Sequence, residues 1–278
     1  MIDLREALTR AAGQLSAHPD LRPTAVPDAT LLVMHALSID RATLLAHPER
    51  PVTRDEMTDL QSAVARRLRF EPIQYITGTQ EFYGLALKVA PGVLIPRPET
   101  EILVEAVLAR VAPDARIVDV GTGSGAIAVA LAHALPQASV TALDLSSEAL
   151  IVASENARSH SLKIRFAVSD LLEAVAQDEL FDAIVSNPPY VPTSDAPTLH
   201  PQVRDHEPAQ ALFSGPTGLE VYERLIPQAR ALLKTGGLLA LEMGHGQRDA
   251  IAELLAGWHD VDFIDDLQGI PRVALAHA

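Results

Sequence analysis

Apolar residues in the first 70 positions recur at helical spacing: Leu4, Leu8, Ala11, Ala12 and Leu15, then Leu31 to Leu37, then Leu44 and Leu45. Thr53 followed three residues later by Glu56 fits a capping box, which predicts a helix running from there to about Arg69. Arg66, Arg67 and Arg69 read as the solvated basic end of that helix. These residues make a small helical domain, 1–73. Between Gln74 and Ile95 the pattern changes to short β-rich runs broken by glycine, Gln74 to Gly78 and Leu85 to Val89. That change predicts a β-hairpin linker over 74–95.

From residue 116 onward strands and helices alternate. Apolar runs predict strands at Arg116 to Val120, Ser139 to Leu143, Lys163 to Val168, Phe181 to Ser186 and Leu238 to Met243. Amphipathic stretches near Ser124 to Leu135, Ser147 to Ser159 and Gly218 to Leu233 predict the helices between them. Val261 to Ile264 and Arg272 to Leu275 can close the sheet edge. The fold class is therefore α/β: a Rossmann-like, mostly parallel sheet with helices on both faces, spanning 96–278. Ligands bind such sheets beyond the carboxyl ends of the strands, so the loops after each strand are the place to look.

Composition narrows the chemistry. The 278 residues include no cysteine, which excludes disulfides, thiolate metal sites and cysteine nucleophiles, and the ten histidines are scattered without metal-ligand spacing. No metal site is expected. No window approaches the ~18 apolar residues of a membrane span, and the amphipathic, charged N-terminus is unlike a secretion signal; no membrane association and a cytoplasmic location are expected. The formal charge of −14 is uneven, with 10 acidic and 9 basic residues over 1–73 but 26 and 13 over 74–278. That balance opposes a nucleic-acid partner and favours a protein or a small molecule.

The first strand runs into Gly121-Thr122-Gly123-Ser124-Gly125-Ala126, with a helix after it. Glycines there let backbone approach a nucleotide-like ligand without side-chain obstruction. As G-x-G-x-x-A the same residues also satisfy the dinucleotide fingerprint, so the loop admits either a nicotinamide enzyme or a methyltransferase. Asp144 ends the second strand 23 residues beyond Gly121, where a carboxylate can accept from ribose hydroxyls of either cofactor. After the third strand, Asp170 can accept from an adenine amino group with Leu171 packed on the ring, or can cap a helix.

The feature that discriminates follows the fourth strand, where the buried run Phe181 to Ser186 delivers Asn187-Pro188-Pro189-Tyr190 to the mouth of the cleft. Two prolines fix φ near ~−65° and remove two backbone donors, leaving a stiff segment that offers the Asn187 side-chain oxygen and carbonyl acceptors to an NH2 group. A nicotinamide oxidoreductase leaves this segment without purpose, as does a non-catalytic adaptor.

The glycine loop followed by Asn-Pro-Pro-Tyr resembles the amino-methyltransferases. Ile95-Pro96-Arg97-Pro98-Glu99-Thr100-Glu101, then His206-Glu207-Pro208 through Ala211-Leu212-Phe213 to Gly218-Leu219, narrow the resemblance to the release-factor glutamine N5-methyltransferase family. It implies a class I methyltransferase fold with S-adenosyl-L-methionine as cofactor, bound by Gly121, Thr122, Gly123, Ser124, Gly125, Asp144, Asp170, Leu171 and Asn187. It further implies a substrate glutamine in the Gly-Gly-Gln motif of peptide chain release factors, presented by Asn187, Pro188, Pro189 and Tyr190. Leu171 departs from the pattern, since relatives often carry an aromatic residue there. The runner-up is a nucleic-acid amino-methyltransferase acting on adenine, which the acidic balance opposes. Arg97 to Glu101 read either as the start of a helix or as neighbours of the cofactor.

Overall fold

The structure is a computed structural model that describes residues 2–278. The chain divides into two compact units: one runs to Thr79 and includes His200–His206, the other holds Gln80–Leu199 and Glu207–Ala278.

The first unit is helical. α1 (Leu4–Ser16) is capped by the Asp3 carboxylate, which accepts from the Glu6 backbone N–H at 2.8 Å. α2 (Ala25–Ala36) and α3 (Arg41–Ala46) follow, and α4 (Arg54–Arg67) starts at the Thr53/Glu56 capping box. Leu4, Ala7, Ala11 and Leu15 on α1 pack with Leu32 and Val33 of α2 and Leu60 and Val64 of α4 to form the core. The basic end of α4 is solvated at Arg69 but not at Arg67. Arg67 is buried and donates to the Asp28 carboxylate at 2.7 Å and to Gln202 Oε1 at 2.8 Å, because a buried guanidinium is tolerated only with its charge and donors partnered. Arg66 pairs with Glu71.

The strand expected at Gln74 is a helix instead, α5 (Ile73–Thr77), which stops at Gly78 with φ +78°. Ile73 and Ile76 belong to the helical core, and that three-residue spacing overrides the β-propensity of so short a run. The hairpin lies further on, as β1 (Thr79–Phe82) and β2 (Leu85–Lys88).

The second unit continues with α6 (Thr100–Leu108), β3 (Arg116–Val120), α7 (Ala126–Ala134), β4 (Ser139–Asp144), α8 (Ser147–Ser159), β5 (Ile164–Val168) and β6 (Phe181–Ser186). Two single-turn helices follow, α9 (Pro201–Arg204), which belongs to the first unit, and α10 (Ala209–Leu212). Then come α11 (Glu220–Leu232), β7 (Leu233–Glu242), α12 (Arg248–Leu254), β8 (His259–Asp265) and β9 (Pro271–His277). The seven-stranded sheet has the order β5-β4-β3-β6-β7-β9-β8, and only β9 runs antiparallel to its two neighbours.

Alternation along each strand assigns side chains to one face or the other. Ile117, Ala183, Val185, Leu238 and Ala240 pack under α6 and α7, while Val118, Ile184, Leu239 and Leu241 pack against Tyr222 and Leu225 of α11. Both faces are covered, which is why the strands read as unbroken apolar runs. From β3 the chain winds outward through β4 and β5, then returns to β6 on the other side. The carboxyl ends of β3 and β6, paired as Val120 with Ser186, therefore flank the switch point where a crevice opens.

Candidate active site

The loop after β3 is held first by backbone hydrogen bonds. The Gly121 and Thr122 N–H groups both donate to the Leu143 carbonyl, at 2.8 and 2.9 Å, and Gly125 N–H donates to the Thr122 carbonyl at 2.8 Å. Gly121, Gly123 and Gly125 all have positive φ, which L side chains rarely adopt. Their surroundings differ. A Cβ at Gly121 or Gly123 would meet no protein atom within 4 Å, whereas one at Gly125 would sit 2.9 Å from the Ala153 Cβ. The first two glycines open the loop towards a ligand, and the third lets α7 approach α8. Thr122 and Ser124 are buried beneath the loop: the Thr122 hydroxyl donates to Asp119, and the Ser124 carbonyl accepts from Asn156.

A cleft of about 400 Å³ opens at this point, within the usual range for small-molecule sites. Gly121, Gly123, Asp144, Asp170, Leu171, Asn187 and Pro189 all line it, so it gathers the loops after β3, β4, β5 and β6. Thr122, Ser124, Gly125, Pro188 and Tyr190 belong to the same loops without lining it. A wider, shallower groove follows β5 near Arg158 and Lys163, but it includes Ser139 and Ile164 at the amino ends of their strands.

The donor set suits an adenosine-type cofactor carrying a cationic centre. The Asp144 carboxylate accepts from the Gly123 and Ser146 backbone N–H groups, each at 2.8 Å, and keeps further lone pairs for ligand hydroxyls. Burial pushes its pKa up, and those two backbone bonds oppose the shift. Asp119 lies fully buried under the glycine loop, with Oδ1 unpartnered among the described residues, and burial pushes it up to about 7. Asp170 caps no helix, because the residues after it form turns; its carboxylate pairs with Arg224 at 2.8 Å. Leu171 adopts φ +51°, an uncommon conformation for a non-glycine residue, and lines the cleft.

The loop after β6 depends on distant residues. Asn187 Nδ2 donates to the Thr100 hydroxyl oxygen at 3.1 Å, and Gln247 Nε2 donates to the Tyr190 carbonyl at 3.0 Å. Among the described residues no protein donor reaches Asn187 Oδ1 or the Pro188 carbonyl. Tyr190 fits closely between two glycines: a Cβ at Gly218 would lie 2.5 Å from its carbonyl oxygen, and one at Gly244 would lie 2.9 Å from its ring. Burial raises the Tyr190 hydroxyl to about 12, so it stays protonated at neutral pH and is no general base.

Arg97 to Glu101 do not line the cleft; α6 begins at Thr100, two residues after Pro98. Arg97 pairs with Glu207, and Glu101 accepts from the Tyr83 N–H at 2.8 Å, so the segment acts as scaffold. Glu207 is buried and anchors the chain that delivers Pro208, Gln210, Ala211 and Phe213 to the opposite wall of the cleft. Among the described residues, no group of three or more acidic or histidine side chains could hold a metal, and no helix is long and apolar enough to cross a membrane.

Residues 6–78 match the PrmC N-terminal domain, and 98–201 match the methyltransferase small domain. A release factor glutamine methyltransferase from Koribacter versatilis is 45% identical over 98% of this chain and 97% of its own length. The chain belongs to the release factor glutamine methyltransferase family. Another member, from Moorella thermoacetica, is 44% identical over 99% of this chain and 98% of its own. Among solved structures, a methyltransferase from Pyrococcus furiosus matches with a TM-score of 0.54 at 20% identity, covering 78% of this chain and 98% of that one. A Thermus thermophilus 16S rRNA methyltransferase in complex with AdoMet and guanosine also scores 0.54, at 22% identity over 72% of this chain and 49% of its own. At those identities the likeness is one of fold. Local sequence pattern does not mark three groups at this family member's site: Arg224, which holds Asp170, and the buried acids Asp119 and Glu242. Arg224 sits on an amphipathic helix like any solvated arginine. Asp119 and Glu242 carried one signal, an acid at or near the end of an otherwise apolar strand.

Proposed function

We propose that this chain transfers a methyl group from S-adenosyl-L-methionine to the side-chain amide nitrogen of the glutamine in the Gly-Gly-Gln motif of a peptide chain release factor. The observation that carries this reading is the pair of free acceptors, Asn187 Oδ1 and the Pro188 carbonyl, on a stiff loop beside the glycine-lined cleft. Its close relatives bear the matching name.

The glycine edge at Gly121 and Gly123, the Asp144 carboxylate and Leu171 would hold the cofactor's adenosine portion. Bound there, S-adenosylmethionine would supply an electrophilic sulfonium methyl whose bonding pair stays with sulfur, and the methylated amide would lose one proton to solvent on release. An amide nitrogen is a poor nucleophile, because its lone pair is delocalised into the carbonyl. Asn187 Oδ1 and the Pro188 carbonyl would each accept one of its N–H groups and hold its face to the incoming carbon. Position then stands in for basicity, and near-attack placement at ~3 to 3.5 Å contributes several kcal/mol without a general base. The acceptor oxygens also favour the positive charge that the nitrogen gains. Tyr190, wedged against Gly244, would keep water from the acceptor side.

The test is a reaction of the protein with labelled cofactor and a release factor, alongside the release factor whose motif glutamine is replaced, read by peptide mass. Label on that glutamine alone supports the reading. Label elsewhere, or on neither protein, overturns it.

A further inference from the structure

Asparagine side chains have two ends of nearly equal size, so sterics alone do not decide which end faces a ligand. For the proposed reaction the choice is decisive: with Oδ1 toward the cleft Asn187 accepts from an NH2 group, and with Nδ2 there two donors would face each other. Hydrogen bonds behind the loop must make that choice.

The structure shows what lies behind it. β7 ends at Glu242 beside the carboxyl end of β6, where Leu241 pairs with Ser186. The Glu242 side chain is 2% exposed, and its Oε2 has no partner among the described residues. Thr100 is the buried first residue of α6, and Glu242 follows Leu241 as Asn187 follows Ser186, which sets the carboxylate beside the Asn187–Thr100 pair and within electrostatic reach of both. The Thr100 hydroxyl accepts from Asn187 Nδ2 and keeps its own proton to donate onward. On the reading proposed above, we infer that Thr100 and Glu242 are positioning residues that hold the Asn187 amide with its oxygen toward the acceptor.

An ionised carboxylate gives this chain one direction. Asn187 donates to Thr100, the Thr100 proton would turn to Glu242, and a flipped amide would set Oδ1 against a negative charge. A protonated Glu242 can donate instead, and the preference fades. Burial raises Glu242 to about 7, with Glu99 pushing further up and Arg272 opposing. The other neighbours do not titrate in that range: Tyr190 is raised to about 12, and Tyr222, whose hydroxyl donates to the Glu242 backbone carbonyl at 2.8 Å, lies well above its usual value. Arg272 is engaged by Asp266 at 3.0 Å, whose own pKa is lowered by the Ile270 N–H and by Arg272. Deprotonation of Glu242 therefore switches the amide into its productive orientation, and turnover rises with pH through about 7.

The test combines kinetics with a readout that needs no substrate. Thr100→Val keeps the shape and removes the hydroxyl; it should lower kcat about tenfold with cofactor affinity and melting temperature unchanged, and Thr100→Ser should recover most of that loss. Glu242→Gln should remove the rise of kcat near neutral pH. In 15N-labelled protein the Asn187 side-chain NH2 signals, assigned with Asn187→Ser, should shift with a midpoint near 7 and stay fixed in Glu242→Gln. A parental kcat in Thr100→Val, or Asn187 signals that do not move with pH in the parent, overturns the inference. A parent that never labels release factor sinks the proposed function instead, while the amide titration still decides the orientation.

Discussion

The glycine loop and the Asn-Pro-Pro-Tyr loop lie across one cleft and are built by opposite means. The first takes its shape mainly from backbone hydrogen bonds to the adjacent strand β4, with the Asp144 and Asn156 side chains adding to them, and its ligand-facing glycines have no side chains at all. The second takes its shape from side chains on other elements: Thr100 on α6, Glu242 on β7, and Gln247 at the start of α12. Backbone-built loops tolerate changes around them and fail when a glycine gains a Cβ. A loop assembled from distant side chains should fail when any contributor is altered, even one that touches no ligand. Damage to the glycine side should then appear in cofactor affinity, and damage to the other side in turnover.

Substitutions can break that division of labour. The largest expected effect is from Asn187→Ala, which should reduce kcat by about a hundredfold to a thousandfold, as removal of one preorganised hydrogen-bonding group does elsewhere, while cofactor affinity stays within several-fold. Calorimetry and single-turnover rates together check this, and a comparable loss of cofactor binding would erase the contrast. Gly218→Ala comes next. Its Cβ would press on the Tyr190 carbonyl at 2.5 Å from a backbone with φ +81°, so kcat should fall about tenfold to a hundredfold through displacement of the loop. Its melting temperature should also fall.

Asp144→Asn should act on the other wall. Charged hydrogen bonds contribute about 1.5 to 3 kcal/mol, so cofactor affinity should weaken about tenfold to a hundredfold with kcat at saturation little altered. Unchanged affinity would remove Asp144 from the site. The smallest effect concerns stability. Folded Asp119, at about 7, keeps its proton where the unfolded chain, near the ordinary value of 3.8, has released it. The native state binds more protons across that window, so its contribution to stability is present at low pH and lost as pH rises from about 4 to 7. Denaturant midpoints of ligand-free protein should decline over that range more steeply in the parent than in Asp119→Asn, and parallel curves would contradict the assignment.

Much of this molecule could be read from local pattern. The five parallel strands, the three intervening helices and the Thr53/Glu56 cap all appear near their expected positions, because apolar periodicity and capping chemistry act over a few residues. Gln74 to Gly78 misled for the same reason in reverse: five residues are too few for periodicity to separate a strand from a helical turn, and packing of Ile73 and Ile76 decided. Arg67 looked solvated because its partners Asp28 and Gln202 are 39 and 135 residues away. Asp170 could be named but not its partner Arg224, which comes from α11.

The sequence by itself determined the strand–loop–helix at the glycines and the stiffness of the Pro188-Pro189 segment, since both follow from the backbone freedom of the residues in place. Only the tertiary structure decided what stands behind the loop. Thr100 and Asn187 meet across 87 residues of chain with Glu242 beside them, and no local rule encodes a contact formed where two strand ends and a helix start converge. A side-chain amide has no intrinsic preference for facing in or out, so its orientation belongs to the fold rather than to the motif.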